Sequence, residues 1–479
     1  MNIKDKSILF LGSSVTYGDG GVSFAELMGE EYGCKVVKEA VSGTTLADVN
    51  ENSYVSRLKK VALNQKFDLC ICQISTNDSW KKVPFEKTKE AVYFIIDYVR
   101  KNWACPIAFY SGTYFESEGY KETVQWFFDN KKSLGIYLLD MFFDEKFNDI
   151  SDEQRKKYMK DHVHPTVTGY REWWLPRFKE LCDSVNEIIY TNIAGLRDPF
   201  ILLHAGVYYA YGTDAVYGDW NNTKWGCYVN ESGKLYGEWV KYEGELYIRP
   251  DNAEKNFWAP EVYKVGDNFY MIATYYSSKT SHRGCSILKA DSPLGPFKEI
   301  TNGHVTPKNK DSIDGTLYFD DKGQPYMIFV DEWSSAPDKI GRMDVAPLSD
   351  DLTHFTREPV ELFKADDAPW ADGVVTDGCF MYKAENGELL MLWSNFYDNN
   401  YCEGVSRSKS GDVYGPWIHD EKLLFSKEIS GEYDGGHGMV FTDLEGGLWL
   451  ALHSPNHPNE KTEERTLLIS LSEENGTLK

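Results

Sequence analysis

Two groups of residues in this chain have the types and spacing to do chemistry. The first opens with Gly12-Ser13-Ser14-Val15-Thr16, directly after the apolar run Ile8-Leu9-Phe10-Leu11. A serine at a strand-to-loop turn stands at the carboxyl edge of a parallel sheet, where open α/β sheets place ligands. Its hydroxyl is a weak nucleophile without a base, and the base needs an orienting acid. Asp161-His162-Val163-His164 offers both within one loop, because an aspartate three residues before a histidine can serve it. Between them lie Gly43 in Val-Ser-Gly-Thr-Thr and Asn77 in Ser-Thr-Asn-Asp, each after a strand-like run. The Gly43 N–H, the Asn77 amide and the Ser14 N–H could converge as an oxyanion hole. Taken singly, the pieces have plainer readings: a turn for Gly-Ser-Ser, a helix cap for Asn-Asp.

The second group repeats. Asp198-Pro199, Ala259-Pro260, Asp314-Gly315, Asp377-Gly378 and His437-Gly438 each open a strand–turn–strand unit, at intervals of 61, 55, 63 and 60 residues. Five such units of about four short strands predict a five-bladed β-propeller. The innermost strands of a propeller line its axis, so equivalent positions converge. On this alignment three aspartates and one histidine meet in one funnel. Asp-Gly and Asp-Pro are also common turn residues at strand entries. That accounts for one or two of the pairs and less well for three carboxylates in one register.

The elements that must position these groups differ in kind. Up to about residue 187, apolar runs at Ser7 to Leu11, Lys35 to Val37, Phe67 to Ile74, Pro106 to Tyr110 and Ile136 to Leu139 predict strands. Helical stretches at Phe85 to Lys101, Lys121 to Lys132 and Gly169 to Ile189 alternate with them. That alternation predicts an α/β domain with a mostly parallel sheet. Tyr190 to Leu196 is the candidate linker. After Arg197, helical periodicity gives way to short aromatic and β-branched runs broken by Gly-Asp and Asn-Gly turns. The predicted fold is therefore multidomain: an N-terminal α/β three-layer domain over 1–190 and a C-terminal all-β five-bladed propeller over 193–479.

Composition narrows the function. With 479 residues, 42% hydrophobic and 26% charged, the chain is an ordinary globular one. A net charge of −23 argues against nucleic acid or an anionic membrane surface as partner. No apolar run approaches the length of a signal h-region or a membrane span. The nine cysteines are an odd count without zinc-ligand spacing, and Cys70 and Cys72 read as buried thiols in a strand. These features predict a reduced, cytoplasmic protein. Aromatic residues reach 15%, which suits both carbohydrate stacking and β-rich cores.

The Ser14, Gly43, Asn77 and His164 blocks, in that order, resemble the SGNH (GDSL-type) hydrolases over residues 1 to about 187. The resemblance implies Ser14 as nucleophile, Gly43 and Asn77 as oxyanion donors with the Ser14 N–H, His164 as base and Asp161 as its orienting acid. Ser13 stands where the family usually has Asp, which leaves Ser13 as a rival nucleophile. His162 reads as a bystander. No Gly-x-Ser-x-Gly elbow occurs.

The propeller segments resemble glycoside hydrolase family 43. The matching stretches are Arg197-Asp198-Pro199, Trp258-Ala-Pro-Glu261, Ser312-Ile-Asp314-Gly, Val375-Thr-Asp377-Gly378 and Gly435-Gly-His437-Gly. The resemblance implies Asp198 as the base that activates water and Asp314 as modulator of the acid. The acid position holds Asp377 where the family has Glu, one methylene longer. Glu332 in Phe-Val-Asp-Glu-Trp is the alternative acid, with an ordinary surface-loop carboxylate as its plainer reading. His437 is implied on the axis, near a calcium or another small ion; no other cofactor is called for. Trp258, Trp333, Trp370 and Trp393 flank the carboxylates, and Trp258, Trp333 and Trp393 are taken as candidate sugar-stacking residues.

Together these resemblances imply a bifunctional enzyme on plant hemicellulose oligosaccharides. One domain is an acetyl-xylan-type O-acetyl esterase and the other an inverting α-L-arabinofuranosidase or β-xylosidase. The implied partner is an acetylated oligosaccharide; the sequence gives no oligomeric state. Two alternatives stay open at this point. The propeller could be a non-catalytic sugar-binding module serving the esterase, or the N-terminal domain a vestigial scaffold.

Overall fold

The computed structural model describes every residue except 2, 186–187, 216–217, 431–432 and 458–463. The chain divides between residues 190 and 191, apart from a short segment, 234–238, that groups with the first unit. In that unit five parallel strands lie in the order β2–β1–β3–β4–β5. They are β1 (Ser7–Gly12), β2 (Lys35–Ala40), β3 (Leu69–Gln73), β4 (Ile107–Tyr110) and β5 (Tyr137–Leu139). All five match predicted strands. The helices used below are α1 (Ser14–Tyr17), α2 (Phe24–Tyr32), α3 (Tyr54–Leu58), α4 (Thr76–Trp80), α5 (Phe85–Trp103) and α6 (Glu118–Asn130).

The run Ile8-Leu9-Phe10-Leu11 is apolar throughout because both faces of β1 are covered. Ile8 and Phe10 join a core with Phe24, Trp174 and Phe178, while Leu9 and Leu11 join one with Val92, Ile95 and Phe109. A parallel sheet with helices on both faces requires such strands. The helix predicted over Gly169–Ile189 runs over 167–184 and contains a π-turn, Tyr170–Trp174. Pro176 has no N–H for the carbonyl four residues back, so the ladder loosens there. Of the rest of that prediction, 186–187 lie outside the described residues, and Ile188 and Ile189 begin a strand instead of ending the helix. No helix among the described residues is long and apolar enough to cross a membrane.

This strand order sends the chain from β1 to one side for β2 and to the other side for β3. A crevice opens beyond the carboxyl ends of strands at such a switch point. Ser14, Gly43 and Asn77 follow β1, β2 and β3 in turn, which brings three distant blocks to one edge.

The second unit is five four-stranded antiparallel sheets. Their innermost and second strands are Leu196–His204 and Val207–Asp214, then Ala253–Val265 and Asn268–Ser277, then Ser312–Phe319 and Pro325–Asp331. The last two pairs are Asp377–Lys383 with Leu389–Tyr397 and Gly436–Thr442 with Leu448–Ser454. The expected linker, Tyr190–Leu196, is a strand instead: β6 (Ile188–Ala194) is the outermost strand of the fifth sheet. Ile189, Thr191 and Ile193 are its buried side, the period-two signature of a half-buried strand.

Each innermost strand carries a one-residue bulge, preceded in the second blade by two further register shifts. The first bulge residue is left-handed in every blade: Asp198 (φ 54°), Ala259 (φ 41°), Asp314 (φ 54°), Gly378 (φ 58°) and His437 (φ 53°). This corrects the repeat alignment. The fourth blade puts Gly378, not Asp377, at the shared position, and Asp377 sits one step earlier, level with Arg197.

Candidate active sites

In the first unit Ser14 opens α1. Its Oγ lies 2.8 Å from His164 Nε2, and His164 Nδ1 lies 2.8 and 3.0 Å from the two Asp161 oxygens. A ring nitrogen facing a carboxylate carries the proton, so Nε2 turns its lone pair to the serine. Burial would raise the Asp161 carboxyl. The N–H groups of Val163 and His164, each at 2.8 Å, together with the imidazole, hold it below the ordinary range instead. The arrangement can draw the proton from the Ser14 hydroxyl.

Ser13 is fully buried, with its N–H 2.9 Å and its hydroxyl 3.3 Å from Gln73 Oε1. The same oxygen accepts from the Thr16 hydroxyl at 2.9 Å. Ser13 is thus committed to the interior behind the turn. His162 is exposed and outside the relay.

Gly43 has φ 75°, and a Cβ built there would meet nothing within 4 Å. Glycine is needed for the backbone angle, not for space. The loop carrying it is clamped from α4: Asn77 Nδ2 donates to Thr44 O at 2.9 Å, and Asp78 accepts from the Leu46 and Ala47 N–H groups at 2.8 and 2.9 Å. Buried Arg57 on α3 ties the same region together, donating to Gly12 O at 2.7 Å, Thr44 Oγ1 at 3.2 Å and Glu39 O. Gln73, Asp78 and Arg57 were invisible to motif reading, since their roles depend on where the strands end.

In the propeller a ring of acceptors fixes the left-handed residues. Thr213 Oγ1 accepts the Ala259 N–H (2.8 Å), Thr274 Oγ1 that of Asp314 (3.0 Å), Ser394 Oγ that of His437 (2.7 Å) and His453 Nδ1 that of Asp198 (3.3 Å). The equivalent acceptor of the third blade is Val330, which has none to offer. There the Asp314 carboxylate itself takes the Gly378 N–H at 3.1 Å. Gly378 leaves no room for a side chain, because a Cβ would lie 2.6 Å from His437 Cγ.

Asp198 Oδ2 accepts from the Thr213 hydroxyl at 2.6 Å, and its Oδ1 lies 3.2 Å from His437 Nδ1. His453 Nε2 lies 3.1 Å from Asn456 Oδ1 and 3.2 Å from Arg197 Nη2. Burial pushes His453 down to about 3 and His437 below its ordinary value. The fixed positive charge behind Asp198 is therefore Arg197, held by Glu464 at 2.5 Å and Asn456 at 2.8 Å. Burial would raise Asp198, yet the imidazoles, Arg197 and the Thr213 hydroxyl keep it below the usual carboxylate range. Burial and the charges of Asp377 and Asp198 drive Asp314 well up. Burial and the Asp198 charge push Asp377 to about 7, against the Tyr401 hydroxyl 3.1 Å from its Oδ2.

Asp198, Asp314, Asp377 and Tyr401 line one cavity of about 320 Å³. Glu332 lines it too and is buried, so it is no surface-loop acid. Arg283 grips it as a fork, with Nε at 2.6 Å and Nη2 at 2.9 Å, while the guanidinium rests 5.5 Å from the Trp258 ring centre. Trp258 and Trp333 line the cavity. Trp393 does not: it is fully buried, its Nε1 donates to Ser406 Oγ at 2.8 Å, and Trp370 packs 4.7 Å from it. Both are blade-packing residues, and Trp393 is corrected accordingly. Trp220, which the sequence reading passed over, is half-exposed at the cavity rim.

The described residues hold no group of three or more His, Cys, Asp or Glu side chains spaced for a metal ion. Calcium takes six to eight oxygens, none of which the His437 imidazole itself supplies.

A five-bladed propeller with carboxylates around an axial cavity, on one chain with an α/β unit bearing a Ser–His–Asp relay, is a carbohydrate hydrolase with an acylhydrolase-type partner domain. Residues 198–477 match the glycosyl hydrolases family 43, and the chain belongs to that family. Residues 10–172 match the GDSL-like lipase/acylhydrolase family. Among solved structures, an endo-arabinase from Bacteroides thetaiotaomicron VPI-5482 is 34% identical, with TM-score 0.52 over 59% of this chain and 98% of that one. A thermostable family-43 glycoside hydrolase is 25% identical, with TM-score 0.53 over 60% and 93%. An endo-1,4-β-xylanase from Bacteroides thetaiotaomicron VPI-5482 is also 25% identical, with TM-score 0.50 over 60% and 94%. Comparison with curated proteins gives no match.

Proposed function

We propose that the first unit removes O-acetyl groups, and that the propeller removes α-L-arabinofuranosyl or β-xylosyl residues with inversion, from plant hemicellulose oligosaccharides in the cytoplasm. The observation that carries the glycosidase half is a contrast within one cavity. Asp198 is held ionised and Asp377 is raised to about 7. Two carboxyls with environments that push them apart divide the roles of base and acid. Asp198 takes a proton from water as the oxygen attacks the anomeric carbon. Asp377 gives its proton to the departing glycosidic oxygen. Asp314 pins the peptide after Asp377 by accepting the Gly378 N–H. Glu332, locked by Arg283, suits hydroxyl binding better than proton donation. An acid environment of this kind supports catalysis over a purely sugar-binding propeller.

In the esterase half, Ser14 Oγ attacks the acetyl carbonyl carbon while His164 Nε2 takes its proton. The oxyanion faces the Ser14 and Gly43 N–H groups and the Asn77 amide. His164 passes the proton to the leaving sugar oxygen, and water then hydrolyses the acetyl-enzyme. Acetyl groups on xylose obstruct glycosidases, so the pairing supports acetylated xylan or arabinoxylan fragments as substrates. The test is a panel of aryl glycosides and an aryl acetate on the intact protein. Release from the acetate and from at least one pentoside is the expected result. No cleavage of any pentoside or hexoside would leave the propeller as a binding module, and no acetate release would leave the first unit as a scaffold.

A further inference from the structure

We propose that Glu403 is a positioning residue of the propeller site: its buried carboxyl holds the main chain on both sides of His437 and so aims that ring at Asp198. This rests on the glycosidase reading above, in which Asp198 is the base. Glu403 stands apart from its equivalents. The second strand of each blade presents one residue toward the next blade's left-handed position: Thr213, Thr274, Val330, Ser394 and His453. Their cross-strand partners on the third strands are Trp225, Cys285, Met343, Glu403 and Thr466. Four blades close without a carboxyl at that point, so the fold does not require one. Glu403 is fully buried, and burial pushes it up to about 8. Burying such a group is costly unless hydrogen bonds compensate, and those that Glu403 makes converge on His437.

Glu403 Oε2 accepts from the Ser394 hydroxyl at 2.5 Å and from the Gly438 N–H at 3.1 Å. Ser394 Oγ in turn accepts the His437 N–H at 2.7 Å. One carboxyl oxygen thus holds the peptide before His437 through the serine and the peptide after it directly. Those two peptide planes set φ and ψ of His437, whose φ of 53° is unfavourable for a residue with a side chain. Glycines on both sides permit the approach. A Cβ on Gly436 would lie 2.5 Å from Ser394 Oγ, and one on Gly438 would lie 3.3 Å from Glu403 Cδ. At the other end of the histidine, Nδ1 is 3.2 Å from Asp198 Oδ1 and 3.9 Å from Asp314 Oδ2. Glu403 Oε1 is buried and has no hydrogen-bond partner among the described residues. The carboxyl therefore works as an acceptor through one oxygen, which an amide oxygen can replace.

The experiment compares Glu403→Gln, Glu403→Leu, Ser394→Ala and Asp198→Ala with the wild type, on the activated aryl pentoside that the wild type cleaves best, with and without sodium azide. Glu403→Gln should keep most of the wild-type kcat. Glu403→Leu leaves the Ser394 hydroxyl and the Gly438 N–H without their acceptor. A misplacement of about 1 Å can cost about 10²-fold in rate, so kcat should fall on that order with KM little changed. Azide has no proton to lose, so it attacks the anomeric carbon without a base as the phenolate departs. It should restore rate to Glu403→Leu, as to Asp198→Ala, and yield the glycosyl azide of inverted configuration; a general loss of folding would not respond. Ser394→Ala cuts the link to the His437 N–H and should show a smaller loss that azide also restores. Wild-type kcat in Glu403→Leu, or in Ser394→Ala where the leucine variant does not fold, would overturn the proposal. So would a Glu403→Gln enzyme as impaired as the leucine one, or a loss in Glu403→Leu that azide leaves unchanged while restoring Asp198→Ala. These results would leave the glycosidase reading standing, whereas a wild type that cleaves no glycoside would overturn both.

Discussion

Replacing Tyr401 by Phe removes one hydroxyl and keeps the ring that stacks on His453 at 5.6 Å. That hydroxyl donates to Asp377 Oδ2 at 3.1 Å and favours the ionised carboxylate. Hydrogen bonds to charged groups contribute about 1.5–3 kcal/mol. A 3.1 Å contact is just beyond the usual O–H···O range, so the lower figure applies. At about 1.36 kcal/mol per unit, Tyr401→Phe should raise Asp377 by about one unit, from about 7 to about 8. The acid must be protonated to work, so the basic limb of kcat/KM moves to higher pH. At pH 8 the wild type would hold about a tenth of its acid protonated and the variant about half. The variant should therefore keep about five times more of its own plateau rate there. The assay is a pH–rate profile on an aryl pentoside with a poor leaving group. A well-activated aryl pentoside should show little of the effect, because its phenolate leaves unprotonated. A basic limb that stays put, or that moves to lower pH, would refute Asp377 as the acid tuned by Tyr401.

Three further outcomes follow from the geometry. Ser14→Ala should abolish acetate release from an aryl acetate and leave pentosidase activity unchanged, whereas Ser13→Ala should retain the 2.8 Å Ser14–His164 contact and measurable esterase activity. Asn77→Ala should lower esterase kcat by ~10²–10³, the usual effect of losing one oxyanion donor; a loss under about fivefold would remove Asn77 from the site. Trp258→Ala should raise KM for oligosaccharides with little change in melting temperature. Trp393→Ala should instead destabilise the propeller by about 3–5 kcal/mol, read by denaturant unfolding of the intact chain.

The first unit was legible because its chemistry follows its strands. Each motif residue stands just past a strand that the apolar runs of the sequence already marked, so order along the chain translated into one sheet edge. What escaped were residues whose roles are set by strand ends meeting in space. Gln73 closes β3 and receives Ser13 and Thr16 from the turn after β1. Arg57 reads as a surface helix residue, yet it is buried against main-chain oxygens of β1 and β2. The linker was misread for a related reason. An isolated strand with a period of two resembles a connector until the sheet it completes is known.

In the propeller a misaligned repeat still leads to carboxylates that line one cavity. Aligning Asp377 with Asp198 and Asp314 rested on their shared Asp-Gly or Asp-Pro pairs. The bulges instead align Gly378 with those two, and the physical constraint at that position is steric: His437 occupies the space where a side chain would go. A carboxylate in true register there would collide with the histidine. Placed one residue earlier, Asp377 leaves the bulge to glycine and still lines the cavity, where the Asp198 charge and burial raise it toward neutrality. Val330 supplies the complementary departure, since a hydroxyl at that point would accept the Gly378 N–H as its counterparts do in other blades. Its absence hands that bond to Asp314 and couples the backbone of the acid residue to the neighbouring carboxyl. Only the bulge register and the acceptor ring make that coupling visible, because neither the repeat spacing nor the Asp-Gly pairs record which N–H lacks a hydroxyl partner.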